Sequence, residues 1–183
     1  MDMNIPRQSY SAIWVFLSCC LLSLHSYAAP PADLNLKADE ALLLAKDQVQ
    51  DFASLIDNAE GVLVFPSITK DGTDPDFEHD FGVMRIGGKT TNYYETHAAS
   101  LGIQVGAQKK VLILVFNDKA ALQQFRESDV WTVGEDGEVS VIKPATDSPA
   151  SSNTAPVLAL LIDQSGPVYS FSLVGSRFVK SPY

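Results

Sequence analysis

Only two cysteines occur in the 183 residues, and they are neighbours, Cys19 and Cys20. No disulfide or thiolate metal site can therefore be built beyond residue 20, and stability there has to come from a packed core. Histidine is scarce too: downstream of His25 there are only His79 and His97. With no Ser, His and Asp in a recognisable motif, and acids placed in flexible sequence where burial does not tune one pKa away from another, the chain reads as non-enzymatic. Basic residues are outnumbered, 13 against 22 acids, for a net charge of −9. That balance argues against nucleic acid as a partner, and any anion has to be held by a local cluster of cations. No cofactor motif is present. The glycines Gly102, Gly106 and Gly175 are not in the strand, glycine-rich loop, helix order of a phosphate cradle.

The longest apolar run is short. Arg7 precedes "AIWVFLSCCLLSL", residues 12–24, and Ser26 and Ala28 follow at small-residue spacing. About 13 residues fall short of the roughly 20 a membrane span needs, so residues 1–28 read as a secretory signal peptide cleaved after Ala28. The expected destination is the periplasm. The alternative, a lipid attached at Cys19, fits less well because the apolar run continues past that cysteine to Leu24.

Residues 29–183 then read as a single domain. Apolar residues Leu42, Ala45, Val49, Phe52, Ala53 and Ile56 recur at three- and four-residue steps, predicting one amphipathic helix from Asp33 to Ala59. "VLVFP", 62–66, reads as a buried strand stopped by proline. The acidic stretch 67–80 reads as a loop. Strands follow at about 81–86, 91–96, 102–108 and 111–116, with Gly87-Gly88 marking a hairpin. Asn117 is placed to cap a short helix carrying Ala121, Leu122 and Phe125 on one face. Strands at 130–133 and 138–142 flank a hairpin at Gly134 to Gly137, and 143–154, "KPATDSPASSNT", reads as a mobile loop. Strands 157–162, 168–173 and 177–180 complete the chain. Such closely spaced strands predict an α+β fold: an antiparallel sheet, closed or partly closed into a barrel, with a long N-terminal helix and one short internal helix.

Lys109 and Lys110 raise the question of a site, since they are the only adjacent lysines. A solvated hairpin turn that discourages edge pairing is the plain reading. The sharper reading adds Lys89, Arg85 and Lys70 from neighbouring segments as a basic rim able to grip a phosphate, each contact worth little alone. Tyr93 and Tyr94, with Phe77 and Phe81, would supply an aromatic edge suited to a lipid interface, although alternation puts one of the two tyrosines in the core. Asp71, Asp74, Asp76, Glu78 and Asp80, with His79 among them, lack the ordered spacing of a calcium loop and read as solvated acids rather than a metal site.

"EGVLVFP" at 60–66, "GIQVGAQ" at 102–108, the 111–116 strand leading into a capped helix, Val133-Gly134, and Gly166 to Gly175 with Tyr169 between them occur in an order that resembles the SYLF domain family. The resemblance spans roughly residues 34–180. It implies a lipid-binding domain, actin-binding in fungal members, and for an exported bacterial member a phospholipid headgroup or membrane surface as partner. Lys109, Lys110, Lys89 and Arg85 would then hold the headgroup and Tyr93 or Tyr94 would reach the apolar part. The glycine-rich stretch after the first strand departs from the family by inserted acids. The N-terminal helix departs as well, with Lys37 and Lys46 set against Asp39, Glu40, Asp47, Asp51 and Asp57. An acidic protein-interaction or envelope-structural module without lipid binding is the alternative.

Overall fold

The computed structural model describes residues 30–69, 78–98, 109–142 and 154–183. The expected signal peptide, Lys70, Asp71, Asp74, Asp76 and Phe77, the 102–108 strand and all but the last residue of the expected 143–154 loop lie outside these residues.

Helix α1 (Leu34–Gln48) is followed by a separate helix α2 (Phe52–Asp57). The single long helix expected from periodicity is thus divided. Asp51 takes a left-handed backbone, φ 58°, and starts α2 at a new angle. The buried residues are Leu34, Ala38, Ala41 and Ala45, continuing through Val49, Phe52 and Leu55, while Leu42 and Ile56 are only partly covered and Ala53 is exposed. Three alanines in this face let α1 lie close on the sheet.

Strands β1 (Gly61–Ile68), β2 (Glu78–Ile86), β3 (Lys89–Ala98) and β4 (Lys110–Phe116) precede helix α3 (Lys119–Glu127). Strands β5 (Val130–Thr132), β6 (Ser140–Val141), β7 (Val157–Asp163), β8 (Gly166–Val168) and β9 (Arg177–Lys180) follow. Their order across the sheet is β5-β9-β3-β2-β1-β4-β7-β6, with β8 added to β7. All pairs are antiparallel except β6 with β7. The outcome is a curled sheet that forms a half-barrel and stays open. Its edge strands β5 and β6 are joined by only residues 133–139, so the curl brings the two edges within about 25 Å of each other. The expected hairpin between them is reduced to a turn, in which the Gly134 amide donates to the Gly137 carbonyl at 2.8 Å.

Some boundaries move for local reasons. β1 runs through Pro66 because the register against β4 shifts between Phe65 and Ile68, an irregularity that accommodates a residue with no N–H to donate. β2 begins at Glu78, so the last three residues of the expected acidic loop are strand. The Gly87-Gly88 turn holds φ values of 56° and 75°, as a tight hairpin between β2 and β3 requires. Only Val168 of the expected 168–173 strand is paired, at the end of β8. The cap of α3 is Asp118, not Asn117: its carboxylate accepts from the Ala121 amide at 2.8 Å, while the Asn117 amide group donates to the Ala155 carbonyl.

Two cores lie on the two sides of the sheet. Leu63, Phe65, Leu112, Leu114, Phe116, Ala159 and Leu161 face the concave side with α3, and Val62, Val64, Ile113, Val115, Leu158 and Leu160 face α1 and α2. Burial on both faces is why the central strands read as unbroken apolar runs. On the concave side Phe125 of α3 is the hub, with ring centroids 4.9 Å from Tyr94, 4.9 Å from Phe116 and 5.3 Å from Trp131. The interior is a packed aromatic core. Among the described residues, both cores lie within residues 34–178.

Candidate functional site

The four cations expected to form one rim sit at two ends of the sheet. Arg85 is paired with Val62 at the start of β1, whereas Lys110 is paired with Ile68, six residues along the same strand, a separation of about 20 Å. Lys89 opens β3 opposite Ile86, at the Arg85 end. Lys109 is exposed beside Lys110 at the other end. The single cationic rim is therefore replaced by two separate surroundings.

Arg85 is committed to structure. Its side chain is 16% exposed, and Nη2 donates to Asp39 Oδ1 at 2.8 Å and to the Asn35 carbonyl at 3.2 Å. Lys110 is 5% exposed, since residues 110, 112, 114 and 116 alternate onto the concave side, and it is already engaged in an interaction of its own. Of the expected cations, Lys109 and Lys89 remain on the surface.

The tyrosines divide as alternation requires. Tyr94 is 1% exposed inside the concave core, and its hydroxyl has no hydrogen-bond partner among the described residues. Burial pushes its pKa up to about 12, against a smaller opposing pull from Arg126. Tyr93 packs on the opposite side, where its hydroxyl accepts from the Asn35 side chain at 2.9 Å. Asn35 also accepts from the Thr90 hydroxyl at 2.7 Å, so this one residue ties α1 to β2 and β3. Neither tyrosine is a free interfacial anchor.

The surface that sequence periodicity passed over is the outer side of α1. Leu36 and Leu43 are 63% and 67% exposed, and Leu44, at 38%, stands beside them. A spacing of seven residues places Leu36 and Leu43 on one flank of the helix, away from the alanine face, with Leu44 turned toward the sheet and Glu40 between it and them. Next to Leu44 a cleft of about 270 Å³ opens between α1, β1 and β4, lined by Lys37, Glu40, Leu44, Ser67, Lys109 and Val111 among others. Lys37 forms an ion pair with Asp33 at 2.8 Å. That hydrogen bond and charge raise the Lys37 pKa, as do Asp80 and Glu40 more weakly, and the same hydrogen bond lowers that of Asp33. The Leu36, Leu43, Leu44 spacing was the available signal. It is hidden in sequence because the core-facing stripe of the same helix is made of alanine.

Two other clefts are present. One of about 390 Å³ follows the opposite edge of α1, lined by Asp39, Leu42, Lys46, Asp57, Arg85 and Gly88 with neighbours. Another of about 490 Å³ lies by α3, between Glu60, Ile86, Lys119, Leu122 and Arg126. Among the described residues no group of three or more His, Cys, Asp or Glu is arranged to hold a metal ion. No described helix is long and apolar enough to cross a membrane.

Residues 97–181 match the family model Ysc84, described as Las17-binding protein actin regulator. The match begins at the end of β3 and runs through β9, taking in Lys109, α3 and, of the concave aromatic core, Phe116, Phe125, Trp131 and Phe178 but not Phe65 or Tyr94. Helices α1 and α2 and strands β1 and β2 lie before it. Among curated proteins, nothing matches the chain.

Proposed function

We propose, from the match of residues 97–181 to the Ysc84 family model and the resemblance of the sequence to the SYLF family, that this protein is an exported, non-enzymatic module that attaches to phospholipid surfaces in the periplasm. One observation carries the reading. Leu36, Leu43 and Leu44 are exposed along α1 beside a cleft that contains Lys37 and Lys109. Exposed leucines beside ammonium groups can enter a bilayer interface, leucines toward the acyl boundary and lysines at the phosphate level, with the exposed Glu40 and Asp47 carboxylates interspersed on the same side of the helix. Lys109 keeps the role given to it on sequence grounds, with Lys37 as its companion in place of Lys110, Lys89 and Arg85. No reaction is assigned.

Vesicle co-sedimentation of residues 30–183 tests this. Pelleting with phospholipid vesicles is expected, reduced several-fold by Lys109→Glu, with the far-UV spectrum unchanged. A protein that stays in the supernatant with every vesicle would overturn the lipid reading.

A second reading, a protein-interaction module, is favoured by the net charge of −9 and by the description of the matching family as an actin regulator that binds another protein. Under it the α1 crest would dock on an apolar groove of a protein partner. Vesicles would then leave the protein in solution, and variants of Leu43 would lose the partner.

A further inference from the structure

We propose that the cleft between α1, β1 and β4 takes the headgroup of a zwitterionic phospholipid bearing a primary ammonium, of the phosphoethanolamine class, in preference to an anionic headgroup. This rests on the lipid reading above and specifies its ligand.

Charge is the first support. A protein of net charge −9 is repelled by an anionic bilayer at the range of a Debye length, about 10 Å at 0.1 M salt, and gains nothing from bulk attraction. A neutral bilayer imposes no such penalty. The cleft itself offers both signs, Lys37 and Lys109 on one hand and Glu40 on the other, with Asp33 already held by Lys37. A phosphodiester brings one negative charge and an ammonium one positive charge. Lys109 meets the first and Glu40 the second, by hydrogen bonds strengthened by the charges they join.

The lining chemistry then separates the two common zwitterions. A quaternary ammonium has no N–H to donate and is recognised by aromatic faces. A primary ammonium has three N–H groups and needs oxygen acceptors. Among the described residues no aromatic ring lines this cleft, whereas the Glu40 carboxylate and the Ser67 hydroxyl do. Leu44, Pro66 and Val111 provide the apolar wall, and the Leu36 and Leu43 crest continues it outward toward the acyl region. Glu40 and Ser67, the proposed ammonium acceptors, precede the family-matched segment, whereas Lys109 and Val111 lie within it.

The test is co-sedimentation of residues 30–183 with vesicles of phosphatidylcholine alone, with added phosphatidylethanolamine, and with added phosphatidylglycerol. The pelleted fraction is expected to rise several-fold with phosphatidylethanolamine and not with phosphatidylglycerol, and Glu40→Gln is expected to erase the difference between the first two. If Glu40→Gln retains the full phosphatidylethanolamine preference, the lipid is acting through bilayer packing and the proposal is overturned. Pelleting with phosphatidylglycerol alone overturns it while leaving the lipid reading intact; absence of pelleting throughout removes both.

Discussion

The Arg85 guanidinium on β2 donates to the Asp39 carboxylate on α1 at 2.8 Å and to the Asn35 carbonyl one turn earlier. This contact holds the N-terminal helix on the sheet from the side opposite Lys109. Asp39 is more than half exposed, so removing Arg85 leaves a carboxylate that water can solvate, and the loss is limited to the charged hydrogen bonds. Arg85→Met is expected to lower stability by about 1–2 kcal/mol in urea unfolding. It should leave vesicle pelleting at the wild-type level, which separates a structural cation from a headgroup ligand.

Tyr94 predicts a pH effect whose sign is fixed by burial. Its pKa is about 12 in the folded protein against about 10 in an unfolded chain, so between those values the folded state holds the proton that the unfolded state has lost. The contribution is fully present below pH 10 and disappears as pH rises toward 12, a loss of roughly 2–3 kcal/mol. Tyr94→Phe is expected to remove this step from a plot of stability against pH. At pH 7 it should be neutral or slightly stabilising, because it deletes a buried hydroxyl with no partner. A Tyr94→Phe protein that is strongly destabilised at pH 7 would show that the hydroxyl is bonded in solution.

Gly82 is required by a neighbour rather than by its own backbone. A Cβ at this position would lie 2.4 Å from the Phe65 ring, which is itself locked at 5.5 Å from Phe178 in the concave core. Gly82→Ala is expected to cost about 1–3 kcal/mol by overpacking. Phe65→Leu in the same chain should recover part of it, because the smaller side chain vacates the contact. Denaturant midpoints of the single and double variants measure the coupling.

What could be read from sequence tracks how strongly one local signal dominated. The runs at 62–65, 111–116 and 157–162 are apolar on both faces and were legible as buried strands, as was the Gly87-Gly88 turn. The divided helix was not, since Gln50 and Asp51 keep the polar periodicity while Asp51 takes the left-handed backbone that breaks it. Strand order was equally hidden: β5 and β6 look like a hairpin because they are close in sequence, yet each finds its partner across the sheet in β9 and β7. For the site, Lys109 was legible as an exposed cation. The separation of Arg85 from Lys110 depends on register, which no spacing in the sequence reveals, and the exposed leucines are hidden because the core-facing stripe of α1 is made largely of alanine.

That crest yields the most discriminating measurement. Leu36 and Leu43 contribute little to the fold, since both are more than 60% exposed, and replacing them with serine should leave the unfolding midpoint within about 0.5 kcal/mol of wild type. Their contribution to membrane attachment is of another size. Burying a leucine side chain in an apolar phase is worth about 1.5–3 kcal/mol, so each substitution is expected to weaken vesicle partitioning by roughly ten-fold or more. Serine also lowers helix propensity slightly, which Leu43→Ala avoids while still removing most of the apolar area. If Leu43→Ala and Leu43→Ser both preserve partitioning, the leucines do not enter the bilayer, and attachment would have to come from Lys109 and Lys37 alone. Exposed ion pairs of that kind are individually worth about 1 kcal/mol or less, too little to hold a protein of net charge −9 on a membrane in physiological salt. Retained stability with lost partitioning is therefore the pattern that identifies α1 as the membrane-facing element.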